Sequence, residues 1–266
     1  MSIEERHNLK IFGNGRKTIL FAHGYGCDQV MWRFLVPAFL DAYRVVLFDY
    51  VGAGKSDISR YSREKYGSLA GYAEDVLEIV DAVGGAPVIF VGHSVSAMIG
   101  VLAAIKRPAA FEKLVLIGPS PCYINDGAYV GGFTRSDIEG LLKTLDENHL
   151  GWSQAMAPVI MKNESRPELA KELAESFCRT DPEIAKHFAR VTFLSDNRAD
   201  LPLLSVPALV LQCSDDSIAP DSVGEFVHQQ LRDSAFVKLS ATGHCPHLSG
   251  PEETTRAIKD FLEHRG

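Results

Sequence analysis

Cysteine is sparse in this 266-residue chain: the five residues Cys27, Cys122, Cys178, Cys213 and Cys245 are odd in number, widely scattered and form no CxxC pair. That usage argues against a disulfide framework and a metal knuckle, and it fits a reducing cytoplasm. Long apolar runs are also missing. None reaches the ~18 residues that a membrane-crossing helix needs, and Met1-Ser2-Ile3-Glu4-Glu5-Arg6-His7 has no basic region followed by an apolar core, so neither a membrane anchor nor a standard export signal is expected. Basic charge is in deficit. With 27 Lys and Arg against 34 Asp and Glu the net charge is −7, which disfavours nucleic acid or an anionic membrane as the main partner. Internal repeats and low-complexity linkers are absent as well.

What is present is enough apolar residue, 46% of the chain, to bury a large core without a metal or disulfide staple. Strand-like runs alternate with helical ones through the first half. Strands are expected at Asn8–Phe12, Thr18–Ala22, Arg44–Phe48, Val88–Val91 and Lys113–Ile117, with helices near Trp32–Leu40 and Leu69–Val83 between them. This is the pattern of an α/β protein, a mostly parallel sheet covered on both faces. From Pro119 to Leu204 the alternation stops. Four amphipathic helical stretches follow, near Arg135–Asn148, Gly151–Met161, Pro167–Cys178 and Pro182–Ser195, before a strand at Val206–Cys213. The expected organisation is therefore a core domain of residues 1–118 and 205–266, interrupted by an all-helical cap of residues 119–204. Phe133, Leu142, Trp152, Met156, Ile160, Phe177 and Phe193 bring apolar surface to the cap. Singly, each is equally well explained by packing between helices; together they predict an apolar, water-excluding pocket.

The strand Val88–Val91 runs into Gly92-His93-Ser94-Val95-Ser96 and then into an apolar helical run, the context of a nucleophile elbow. There a serine sits on a strained turn, and only small residues fit two places before and after it. A serine hydroxyl needs a histidine to take its proton and a carboxylate to orient that histidine. The strand ending at Cys213 is followed by Ser214-Asp215-Asp216, which offers Asp216 as the acid and Asp215 as the competing choice. The strand-like Ala235–Leu239 is followed by Gly243-His244, which offers His244 as the base. His247, in His244-x-x-His247, lacks a third ligand at a recognisable spacing, so no metal is expected. The loop His23-Gly24-Tyr25-Gly26 after the strand Thr18–Ala22 supplies an oxyanion cradle from the backbone N–H groups of Tyr25 and Val95. His93 beside the nucleophile and Ile218 beyond the acid are expected to complete the pocket lining. Gly52-Ala53-Gly54-Lys55-Ser56 imitates the end of a phosphate-binding loop, but Asp49 stands where the first glycine belongs and no helix follows at once, so it reads as a structural turn.

These motifs, with His23-Gly24-Tyr25-Gly26-Cys27-Asp28-Gln29, Gly118-Pro119-Ser120-Pro121-Cys122-Tyr123 and Gly243-His244-Cys245-Pro246-His247, resemble the α/β-hydrolase superfamily over essentially the whole chain. More narrowly, the chain resembles the group of RsbQ-type sigma-B energy-stress regulators and plant karrikin and strigolactone receptors. That resemblance implies Ser94, Asp216 and His244 as the triad, favouring Asp216 over Asp215, under a four-helix lid above a small apolar cavity. It implies no cofactor. The expected activity is hydrolysis of a small, largely apolar ester or lactone. The alternative is a stress-signalling protein that binds or slowly hydrolyses such a ligand and engages a PAS-domain phosphatase. Two departures stand out: Tyr25 where relatives usually have phenylalanine, placing a hydroxyl at the pocket floor, and Ser96 where the elbow usually has glycine, adding a Cβ and hydroxyl close to the turn that are expected to shift helix packing slightly and slow acylation without abolishing it.

Overall fold

The strand-forming runs assemble into one seven-stranded sheet in the computed structural model, which describes residues 2–84 and 87–263. The strands are β1 (Lys10–Phe12), β2 (Lys17–Ala22), β3 (Tyr43–Leu47), β4 (Val88–His93), β5 (Phe111–Ile117), β6 (Ala208–Ser214) and β7 (Ser234–Thr242). Their spatial order is β1-β3-β2-β4-β5-β6-β7; β1 runs antiparallel to β3 and every other pairing is parallel. A parallel sheet needs cover on both faces, and the two-residue period of the strands supplies two apolar surfaces. Leu20, Phe90, Leu114 and Val210 point into one core with Val76 and Ile79. Ile19, Phe21, Ile89 and Val115 point into the other with Trp32, Phe39 and Ile258.

The helices of the first half are α1 (Ile3–Arg6), α2 (Leu69–Ala82) and α3 (Val95–Lys106). Ser2 and Glu5 cap α1 reciprocally, and the left-handed Asn8 behind it confines β1 to Lys10–Phe12, shorter than the sequence pattern suggests. The helix expected over Trp32–Leu40 does not form; two 3₁₀ turns, Gln29–Trp32 and Val36–Ala38, take its place. Pro37 explains this, because within an α-helix it would clash with the carbonyl four residues earlier and donate no hydrogen bond.

Four helices lie between β5 and β6: α4 (Arg135–Glu147), α5 (His149–Met161), α6 (Pro167–Arg179) and α7 (Pro182–Phe193). Local signals set their starts. Thr134 and Asp137 form a capping box, Asn148 accepts from Gly151 N–H, Pro167 opens α6, and Asp181 accepts from Glu183 and Ile184 N–H. The insertion packs on an apolar cluster distinct from the two sheet cores, built on Ile138, Leu145, Leu173 and Phe177 and joined from outside the insertion by Cys27, Met31, Ile218, Cys245 and Leu248. The chain returns through β6, α8 (Asp221–Gln230), β7, the short α9 (Pro246–Ser249) and α10 (Pro251–Glu263). The five cysteines are unpaired, and among the described residues no helix is long and apolar enough to cross a membrane.

Candidate active site

Ser94 occupies the single residue between β4 and α3 at φ 58° and ψ −122°, a strained conformation for a residue with a side chain. Glycine at position 92 is a steric necessity: a Cβ there would lie 2.6 Å from the Ser96 carbonyl oxygen and 2.7 Å from the Phe90 ring. Ser96 is accommodated beside the turn. Its hydroxyl is buried and bonded to the His23 carbonyl at 2.5 Å and the Tyr50 hydroxyl at 3.0 Å, and α3 starts normally at Val95.

The post-β6 loop separates its two acids. Asp215, at φ 50°, faces outward and pairs with Lys162 at 3.4 Å, whereas Asp216 is buried with Oδ2 2.7 Å from His244 Nδ1. Asp216 Oδ1 accepts from the N–H groups of Ile218 at 2.8 Å and Ala219 at 3.0 Å, so both carboxylate oxygens are held. Gly243, at φ 78°, turns the chain after β7 and brings His244 Nε2 to 2.7 Å from Ser94 Oγ. The proton arrangement follows from the donors available. A carboxylate only accepts, so His244 Nδ1 carries the proton and Nε2 is left to accept from the Ser94 hydroxyl. The His244 N–H donates to the Ile160 carbonyl at 2.9 Å, tying this loop to the end of α5.

His93 and His247 surround the pair without entering it. His93 Nε2 donates to the His244 carbonyl at 2.7 Å, and its ring lies 4.5 Å from that of His247. Burial, reinforced by the His247 and His244 rings, holds His93 far below the ordinary imidazole range. Burial, then His244 and Arg33, pushes His247 down to about 3. Both rings are therefore neutral parts of the scaffold near pH 7. Among the described residues one group could gather around a metal, His7, Asp75 and Glu78, but Lys65 and the Tyr66 hydroxyl already bond Asp75 at 2.5 and 2.7 Å, and Arg6 pairs with Glu78. Asp49 likewise acts in structure: it accepts from the N–H groups of Gln29 and Lys55, fixing the turn that imitates a phosphate loop.

The Ser94 hydroxyl opens into a cavity of about 30 Å³ beneath the insertion. Of the residues expected to line it, His93, Trp152, Ile160, Phe177, Phe193 and Ile218 do so. Phe133, Leu142 and Met156 do not; they pack in or against the apolar cluster around the cavity without reaching it, a difference that amphipathic periodicity could not show. Sequence reasoning missed Cys27, Tyr123, Leu173, Thr192 and Cys245 as lining residues. Cys27 and Cys245 sit beside motif residues, and Tyr123 ends the Gly118–Tyr123 segment, the signals that would have found them. Tyr25 packs against Trp152, Phe177, Phe188 and Phe193, and its hydroxyl is donated to the Ala185 carbonyl of α7 at 3.1 Å. The phenol that distinguishes position 25 is thus directed to the insertion. A larger groove, of about 650 Å³, runs between α2 and α7 but holds none of the groups around Ser94.

The model of the Alpha/beta hydrolase family matches residues 19–257. The karrikin insensitive 2 receptor CA of Petunia hybrida is 39% identical over 98% of this chain and 97% of its own length. The strigolactone esterase D14 of Arabidopsis thaliana is 37% identical over 98% of each chain. A solved hydrolase from Oleispira antarctica superposes with a TM-score of 0.97 at 41% identity, covering 99% of this chain and 97% of its own. With the sheet order, the elbow geometry and a family match spanning most of its length, the chain belongs to the alpha/beta hydrolase family.

Proposed function

We propose that the protein is a serine hydrolase of small, largely apolar esters or lactones, with Ser94, His244 and Asp216 as its catalytic residues. The observation that carries this reading is the unbroken buried relay, 2.7 Å from Ser94 Oγ to His244 Nε2 and 2.7 Å from His244 Nδ1 to Asp216. Ser94 attacks the carbonyl as its proton passes to His244 Nε2. The tetrahedral oxyanion is held by the N–H groups of Tyr25 and Val95, the latter at the start of α3 where helix donors are unspent. His244 then protonates the leaving alkoxide, and water repeats the sequence on the acyl-enzyme. Asp216 keeps the imidazole in its Nδ1–H form throughout. The helical insertion serves as a lid that excludes water, and its aromatic lining selects apolar acyl groups. The unpaired cysteines fit a cytoplasmic setting.

The test is hydrolysis of short-chain p-nitrophenyl esters by the wild type and Ser94→Ala, with folding followed by circular dichroism. The expected loss in kcat is ~10⁶-fold, the scale seen when a triad nucleophile is removed. A folded wild type that turns over none of these esters would overturn the enzymatic reading.

A signalling role is favoured by one observation, the size of the cavity. About 30 Å³ holds little more than one or two water molecules, so an ester must displace side chains or the lid before it reaches Ser94. On that reading the protein is a slow ligand sensor, like the relatives named as receptors, and its partner is a PAS-domain phosphatase. A stoichiometric burst followed by very slow turnover, with ligand-dependent co-elution of such a phosphatase, would select it over a metabolic esterase.

A further inference from the structure

The Tyr25 N–H shares a planar peptide unit with the Gly24 carbonyl, so whatever fixes that carbonyl aims the donor. The loop is held from below by groups outside the relay. Ser96 Oγ lies 2.5 Å from the His23 carbonyl oxygen, and the Tyr50 hydroxyl lies 3.0 Å from Ser96 Oγ. A carbonyl only accepts, so the Ser96 proton points to His23 and Tyr50 must donate to Ser96. The His23 ring holds the next peptide. Its Nδ1 donates to the Gly24 carbonyl at 2.9 Å while its Nε2 accepts from the Tyr50 N–H at 3.2 Å, which selects one neutral tautomer. Two consecutive peptide planes leading to Tyr25 are therefore clamped, one by Ser96 and one by His23. Ser96, Tyr50 and His23 are all buried, in a region where solvent cannot replace a lost partner.

We infer that Ser96 is a positioning residue for the oxyanion hole, held in turn by Tyr50. The hydroxyl two residues after the nucleophile strengthens transition-state binding by fixing the loop, without touching substrate. Where an elbow carries glycine at this place, no side chain can make this bond. The inference rests on the serine-hydrolase reading above.

The experiment compares wild type, Ser96→Ala, Tyr50→Phe and the double variant, using p-nitrophenyl butyrate, a butylboronic acid that forms a tetrahedral adduct on Ser94, and the uncleaved N-phenylbutyramide as a ground-state ligand. Removing an oxyanion donor outright costs ~10²–10³ in kcat, so mis-aiming one in Ser96→Ala should lower kcat and boronate affinity together by ~10-fold. Amide affinity should stay within about twofold, because ground-state binding does not use the hole. Tyr50→Phe should show a smaller loss of the same kind, and the double variant should be no worse than Ser96→Ala, since the two hydroxyls act in one chain. Unchanged boronate affinity in a folded Ser96→Ala, or an equal weakening of boronate and amide, overturns the inference. If Ser96→Ala does not fold, Tyr50→Phe decides by the same split. Failure of the serine-hydrolase reading looks different: wild type and Ser94→Ala would then bind the boronate equally.

Discussion

The strand ends and the helical insertion meet at one cavity but are built by different means. At the ends of β4, β6 and β7 the main chain does the positioning, through parallel ladders and through left-handed turns at Ser94, Asp215 and Gly243. The insertion is held together by an apolar cluster, and it is fastened to the rest unevenly. The end of α5 is tied to the His244 loop by the His244 N–H on Ile160 and by Asn163 Nδ2 on the Thr242 carbonyl at 3.0 Å. In contrast, α6 and α7 hold on through side chains: Ser176 on the Gly26 carbonyl at 2.8 Å, Tyr25 on Ala185, and Arg33 on Glu172. The difference teaches that cavity shape and relay geometry are separable. Changes at the strand ends should act on chemistry, and changes along α6 and α7 should act on access.

The sharpest break of this comparison is at the acid loop, where two neighbouring carboxylates differ in role. Asp216→Asn leaves the shape intact but offers an amide to His244 Nδ1, favouring the wrong tautomer, and kcat should fall ~10⁴-fold. Asp215→Asn removes only an exposed pairing with Lys162 and should leave kcat within about twofold. Parallel kinetics of the two variants on one ester check this; equal losses would mean that the loop, rather than Asp216, sets the activity.

The sequence pattern reached the strand ends more easily than the insertion, for physical reasons. An elbow is legible because its steric demands are local: Gly92, the serine and a following apolar helix lie within a dozen residues. The sheet was legible because period-two apolar runs with helices between them admit few topologies. Adjacent Asp215 and Asp216 differ by one place in spacing, which favours Asp216 but does not show how the left-handed turn at Asp215 sends one acid out to Lys162 and the other in to His244. Apolar periodicity overlooked Pro37 and so suggested a helix where two 3₁₀ turns form. It also could not tell which face of α4 or α5 meets the cavity, hence Leu142 and Met156. Least legible were the polar ties, because Ser96 and His23 are 73 residues apart and Tyr25 and Ala185 are 160 apart.

Acidification should strain the strand-end region through His247. Its folded-state pKa of about 3 lies below the ordinary imidazole value of 6.5, so the unfolded chain binds a proton that the folded chain refuses between those limits. Stability is fully present above about pH 6.5 and falls as pH drops toward 3, by about 1.4 kcal/mol per pH unit for this one group. His93, also held low by burial, adds to the same slope. Urea unfolding of the wild type and His247→Phe at pH 7, 6 and 5 reads the effect, and the variant should lose about one proton's worth of slope. An unchanged slope would show that His247 titrates normally.

The smallest expected effect tests the fastening of α6. Arg33 and Glu172 form a two-pronged pair at 2.6 Å for each contact, with side chains 34% and 31% exposed. Solvent screening at that exposure limits the pair to ~0.2–1 kcal/mol, so Arg33→Met should lower Tm by only about 1–3 °C. If α6 and α7 are the half of the insertion that yields, even this small change should raise the rate of limited proteolysis within residues 167–193. It should also raise kcat/KM for a bulky ester while leaving that for p-nitrophenyl acetate unchanged. Cleavage appearing first in α5 would reverse the order of fastening, because the ties at Ile160 and Thr242 would then be the weaker ones.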